Sequence, residues 1–286
     1  MKSAEKNAPK HVPEYREYHS TTGGIFFEAK HVLFEGKSNY QKIEVIENIH
    51  WGKVLFLDGL VQTTEKDEYF YHEMLVHTAF AAHPAPRSLL IVGGGDGGAL
   101  KEALKYSLGK AFLVEIDPQV IQVCKEHFPW LSAALRDERA TLVIADGTEF
   151  LRRTAETFDV VIVDSSDPVG PSAQLHDADF FEDIKKRLRP GGVITAQMGS
   201  AFYDRDSLLQ KMAALERIFK KSYLYTGPVP SYPGGVWCYA FLSEDVDPLE
   251  IKRDPPKGLR YYNIDIHHSA FILPNYLKKA KQNESD

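Results

Sequence analysis

The sequence predicts an α/β protein, a doubly wound parallel sheet preceded by a small antiparallel β domain. Three observations predict it. From residue 88 onward, short apolar runs alternate with amphipathic helical segments; a glycine loop, GGGDGG, closes the first run at residues 93–98; and residues 25–63 carry hairpin-like runs instead. The 286 residues, 43% apolar and 26% charged, suffice for one large domain with a smaller partner and argue against wholesale disorder. A net charge of −6 disfavours a nucleic-acid partner and fits a cationic substrate and plain solubility alike.

Element by element, residues 1–24 read as a polar N-terminal tail without the apolar core of a signal peptide. Residues 25–65 form the β-hairpin domain, from GIFFEAKHVLFEG, YQKIEVIEN and KVLFLDGLVQTT, each broken by Gly, Asn or Asp. A helix follows in TTEKDEYFYHEMLVHTAFAAHP, with Phe70, Met74, Leu75 and Ala79 at helical spacing and Pro84 as its stop. Residues 66–286 then make a Rossmann-like domain with a C-terminal extension. Its parallel strands are SLLIV, AFLVEI, ATLVIA, DVVIVD and GVITAQ, and YLYTGPV with VWCYAFL completes the sheet. No apolar stretch approaches the roughly 18 residues of a membrane span, and Cys124 and Cys238 read as two buried thiols. A cytoplasmic protein is expected.

The informative residues are acids at strand ends. Asp96 stands in the glycine loop, and Glu115, Asp146 and Asp164 end the next three strands. In an open α/β sheet, ligands bind beyond the carboxyl ends of the strands, so four carboxylates converge on one crevice. Glu115, about 20 residues past the loop, suits ribose hydroxyls. Asp146, followed by Gly147, suits an adenine amino group or, more plainly, a helix N-cap. Asp96 and Asp164, with Asp167 nearby, are surplus negative charge that would repel a pyrophosphate, which disfavours a nicotinamide dehydrogenase. A nucleoside with a cationic arm, together with a second cationic reactant, fits them.

Six strings, YHEM (71–74), GGGDGG (93–98), EID (115–117), DG (146–147), DSSDPVGP (164–171) and YPGG (232–235), together resemble the spermidine synthases, a family of polyamine aminopropyltransferases. The likeness runs in order from about residue 25 to residue 277. It implies a Rossmann-like, methyltransferase-type doubly wound sheet. It also implies transfer of an aminopropyl group from decarboxylated S-adenosylmethionine to a diamine such as putrescine, releasing methylthioadenosine. By the resemblance, Gln41, Gly93, Gly95, Glu115, Asp146, Gly147 and Pro171 bind the nucleoside donor, and Asp96 holds the amine of its arm. Asp164 contacts the attacking amine with Tyr71 beside it, while His72, Asp167, Gln197 and Tyr232 position the rest of the acceptor. Family members commonly form dimers or tetramers through their N-terminal hairpins. His72, where eukaryotic members often carry Gln, points to a bacterial type. Ser231, Gly234 and His176 depart from frequent family residues near the acceptor, which leaves agmatine, cadaverine and spermidine as alternatives to putrescine. An amine methyltransferase using intact S-adenosylmethionine is the runner-up, disfavoured because Asp96 would oppose the methionine carboxylate.

The implied reaction is an in-line displacement at the methylene beside a sulfonium, which leaves as a neutral thioether and needs no metal. His72 with His77, and His267 with His268, lack the common metal spacings. The acceptor amine arrives protonated, so a base is required. Asp164 is the candidate, with burial and Asp167 expected to raise its pKa and Tyr71 to aim the amine.

Overall fold

The computed structural model describes residues 12–165, 175 and 177–278. An N-terminal ribbon pairs β1 (Glu14–Tyr18) antiparallel with β2 (Gly24–Glu28). A four-stranded antiparallel sheet follows, β3 (His31–Lys37), β4 (Lys42–Asn48), β5 (Gly52–Leu57) and β6 (Leu60–Thr64) in chain order. Helix α1 (Glu68–Ala82) leads into the main domain. There β7 (Ser88–Gly93), β8 (Lys110–Glu115), β9 (Ala140–Ile144), β10 (Phe158–Asp164), β11 (Leu188–Ser200), β12 (Lys221–Pro228) and β13 (Val236–Ser243) form one seven-stranded sheet. Its order is β12-β13-β11-β10-β7-β8-β9, parallel from β9 through β11, with β13 antiparallel to both β11 and β12. The chain steps outward from β7 in both directions, so the topological switch falls between β7 and β10, where an α/β sheet opens its ligand crevice.

The central strands β7 and β10 are buried on both faces, and their alternation decides which core each residue joins. Leu89 and Ile91 pack with α1 and α2 (Gly98–Ala103), whereas Leu90 and Val92 pack with α5 (Gly147–Arg153), α6 (Ala178–Lys185) and α7 (Arg205–Ile218). The small sheet docks the same way: Ile43, Val45 and Leu55 meet Val120, Val123 and Cys124 of α3 (Pro118–His127) and Leu131 of α4 (Pro129–Ser132), and Ile46, Val54 and Phe56 meet Phe27. A last helix, α8 (Ile264–Ala270), packs beside β12. Both cysteines are buried free thiols, and no helix among the described residues is long and apolar enough to cross a membrane.

Two sequence expectations need correcting. The polar tail expected over residues 1–24 contains strand β1, whose inward residues are Tyr15, stacked on Phe56, and Glu17, which is 4% exposed. An inward carboxylate hides a strand from a hydropathy reading. The apolar spacing of Phe70, Met74, Leu75 and Ala79 on α1 also understates its burial, because nearly the whole helix is buried. Its polar residues are held individually: Glu73 accepts the backbone N–H groups of Arg260, Tyr261 and Tyr262, and His77 bonds Glu102 and Tyr106.

Candidate active site

A cleft lies past the carboxyl ends of β7, β8, β9 and β10, roofed by the N-terminal sheet. Its empty space, counted out into open solvent at the mouth, is about 1140 Å³.

The glycine loop builds its floor. Gly93 has φ +84°, and a Cβ there would sit 2.2 Å from the Asp164 carbonyl oxygen, which accepts the Gly94 N–H at 2.9 Å. Only glycine lets β7 and β10 close so tightly. The loop then ends at α2, where a phosphate would ordinarily seek the free N–H groups. Asp96 takes that place with its own carboxylate, its Oδ1 accepting the Gly98 N–H at 2.8 Å. The helix start is answered from within the protein, and Oδ2 of Asp96 is left to face a cation.

That oxygen lies 3.4 Å from Nε2 of His72, whose Nδ1 is 2.8 Å from Glu68 Oε2. Asp164 completes the cluster: ligand atoms of His72, Asp96 and Asp164 all lie within 4.8 Å of one another. The histidine spacings in the sequence miss this grouping, because it joins one residue from a helix, one from a loop and one from a strand end. Tyr71 donates its hydroxyl to Asp164 Oδ1 at 2.8 Å, while Asp164 Oδ2 is buried with no partner among the described residues. An unsatisfied buried carboxylate oxygen is costly to keep and marks a place prepared for a donor. Burial raises the Asp164 carboxyl to about 6, the charge of Asp96 adds to the rise, and His72 and the Tyr71 hydrogen bond oppose it. Among the described residues, the acid that raises it is Asp96; Asp167, given that part in the sequence reading, lies outside them. Burial alone would lower the His72 pKa, but Asp96 and Glu68 outweigh it and drive the imidazole well above its ordinary value.

On the opposite wall, Glu115 accepts the Asp117 N–H at 2.9 Å. Burial lifts its carboxyl to about 7 against the backbone N–H groups that favour the ion. Asp117 also ties the small sheet to the large one, accepting Ser38 Oγ at 2.7 Å and Gln41 Nε2 at 3.0 Å. Asp146 caps α5 through the Glu149 N–H at 2.9 Å while still lining the cleft, as does Gly147. Gln197 donates to the Ser165 carbonyl at 2.9 Å and accepts from Trp237, and Tyr232 donates to the Gln62 carbonyl.

The cleft is therefore lined by Gln41, Tyr71, His72, Gly93, Gly95, Asp96, Glu115, Asp146, Gly147, Asp164, Gln197 and Tyr232, while Asp167 and Pro171 lie outside the described residues. The sequence reading missed Glu17, a further buried carboxylate of the lining, which accepts the Val61 N–H at 2.8 Å and pairs with His19 at 2.6 Å.

Residues 68–253 match the family model of the spermine/spermidine synthase domain, and residues 15–65 match the spermidine synthase tetramerisation domain. The chain belongs to the spermine/spermidine synthase family. The polyamine aminopropyltransferase of Hydrogenobaculum sp. is 42% identical, covering 87% of this chain and 89% of the relative. That of Caldicellulosiruptor saccharolyticus is 40% identical, covering 86% and 90%. Among solved structures, a spermidine synthase in complex with the transition-state analogue AdoDATO superposes with TM-score 0.90 at 37% identity, over 94% of this chain and 95% of the other. The spermidine synthase of Thermotoga maritima gives TM-score 0.88 at 36% identity, over 94% of both chains. The chain is an enzyme of this family, and the match to a tetramerisation domain, which takes in β1, supports a homo-oligomer.

Proposed function

We propose that the protein transfers the aminopropyl group of decarboxylated S-adenosylmethionine to putrescine, giving spermidine and methylthioadenosine. The observation that carries the reading is the carboxylate of Asp96 at the start of α2, facing the partnerless oxygen of Asp164 across a cluster built for cations. A donor arm ending in an ammonium pairs with Asp96, whereas the carboxylate of intact S-adenosylmethionine is repelled by it. The relatives' shared name and the analogue-bound neighbour support the same class of chemistry.

In this reading the nucleoside lies against Gln41, Gly95, Glu115 and Asp146, with Glu115 toward the ribose. The sulfonium end points at Asp96, and the acceptor lies between Tyr71 and Asp164 with its far end toward Gln197 and Tyr232. The acceptor ammonium gives its proton to Asp164, whose raised pKa makes it a better base than an ordinary aspartate. The freed lone pair attacks the methylene: an N–C bond forms, the C–S bond breaks, and the electron pair returns to sulfur as a neutral thioether. Holding the two reactants in line supplies much of the rate.

Calorimetry tests the charge argument directly. Asp96→Asn removes a charge-assisted contact worth about 1.5–3 kcal/mol, so affinity for the decarboxylated donor is expected to fall about 10- to 100-fold. Affinity for the intact donor is expected to hold or rise. Equal affinity of wild type and variant for the decarboxylated donor would defeat the assignment.

A further inference from the structure

The His72 ring stands between two carboxylates. Glu68 Oε2 is 2.8 Å from Nδ1, and Asp96 Oδ2 is 3.4 Å from Nε2. Either neutral tautomer would turn a nitrogen lone pair toward one of them, and only the doubly protonated ring answers both. Glu68 is itself fixed. It opens α1, where a helix start favours a carboxylate, it is 6% exposed, and its second oxygen takes Lys101 Nζ of α2 at 2.8 Å. Lys101 in turn lies 3.5 Å from Glu102. Gly98 of α2 closes the last side, since a Cβ there would come within 2.1 Å of the ring. The groups facing His72 are thus Glu68 and Tyr71 from its own helix, Asp96 from the glycine loop, Asp164 from β10, and Lys101 from α2 by way of Glu68.

We propose that Glu68, tethered by Lys101, is a positioning residue for aminopropyl transfer: it aims His72 Nε2 at Asp96 and Asp164 and keeps a proton on both ring nitrogens. The imidazolium is then a built-in cation beside the two acids, 3.4 Å from Asp96 and in the same cluster as Asp164. Its charge keeps Asp164 ionised, and so able to accept a proton, at lower pH than the burial of Asp164 would permit. This role rests on the proposed reaction, but the state of the ring is readable without any substrate.

Nitrogen NMR of histidine-labelled, unliganded enzyme reads it. In the wild type, His72 is expected to be doubly protonated at pH 7. In Glu68→Gln it gives up a proton at lower pH than in the wild type. With substrates, the acid limb of kcat/KM in Glu68→Gln moves up by about half to one pH unit, an about two- to fivefold lower rate at pH 6. Lys101→Met, at a part-exposed position, keeps the imidazolium and the pH profile but loses kcat several-fold as the ring loosens. A His72 neutral at pH 7 in the wild type overturns the proposal, and this result needs no variant to fold. So does a Glu68→Gln enzyme whose His72 titration and pH profile match the wild type. Failure of the wild type to transfer an aminopropyl group would instead sink the proposed reaction and leave the ring measurement standing.

Discussion

Asp164→Asn is expected to stabilise the unliganded protein while removing most of its turnover. The carboxyl has an ordinary pKa of 3.8 and is raised to about 6 in the fold, first by burial and then by Asp96. At 1.36 kcal/mol per pH unit, that difference is about 3 kcal/mol of native-state cost. The sign follows from the direction of the rise: the contribution is favourable below pH 3.8 and is lost as pH climbs through about 6, so at pH 8 the native protein bears the whole cost. Asn does not titrate, and its oxygen still accepts the Tyr71 hydroxyl. At roughly 2–4 °C per kcal/mol for chains of 150–250 residues, Tm is expected to rise by about 6–12 °C at pH 8. Thermal melts at matched protein concentration test this, because an oligomer's Tm depends on concentration. The gain is expected to hold nearly constant from pH 8 to about pH 7 and then shrink, to about half by pH 5. Turnover should fall about 10²- to 10⁴-fold, the usual contribution of a general base. A gain independent of pH, or a lower Tm at pH 8, would refute the claim that Asp164 is a costly buried anion. Retained turnover would remove it from the base role.

Tyr71→Phe deletes the 2.8 Å hydrogen bond that favours the Asp164 carboxylate. The acid limb of kcat/KM is therefore expected to move further above pH 6, with several-fold greater loss at pH 6 than at pH 8.5; a limb that stays in place would contradict the link. Gly98→Ala drives a Cβ into the His72 ring. Overpacking of that kind costs about 1–3 kcal/mol, so Tm and turnover should both drop, and an unchanged crystal position of His72 would show the contact to be soft.

The acids at the strand ends were legible because parallel strands share one direction. Any residue that ends such a strand lies on the same edge of the sheet, so Glu115, Asp146 and Asp164 meet without knowledge of side-chain packing. Asp96 was legible by its chemistry, an acid in a loop that normally courts anions. The Asp146 N-cap could likewise be read from DG before a helix, and the structure combines the cap with a place in the cleft. Glu17 was not legible. It alternates with exposed Glu14, Arg16 and Tyr18, and only pairing with β2 turns it inward. The Glu68–His72 spacing of four residues suggests an ion pair on any helix. What no spacing could tell is that this pair is buried and aimed at Asp96, because that depends on α2 packing against α1 with Gly98 at the contact. The burial of α1 on nearly all sides had the same origin: the segment over residues 260–262, far along the chain, caps its Glu73.

The central claim is aminopropyl transfer to a diamine, and product analysis by mass spectrometry tests it most directly. Purified protein would be incubated with decarboxylated or intact S-adenosylmethionine, each with putrescine, agmatine, cadaverine and spermidine in turn. The account predicts an aminopropylated amine with methylthioadenosine from the decarboxylated donor alone, with putrescine the best acceptor. A methylated amine from the intact donor would contradict it, and with it the reading of Asp96 as the partner of an ammonium.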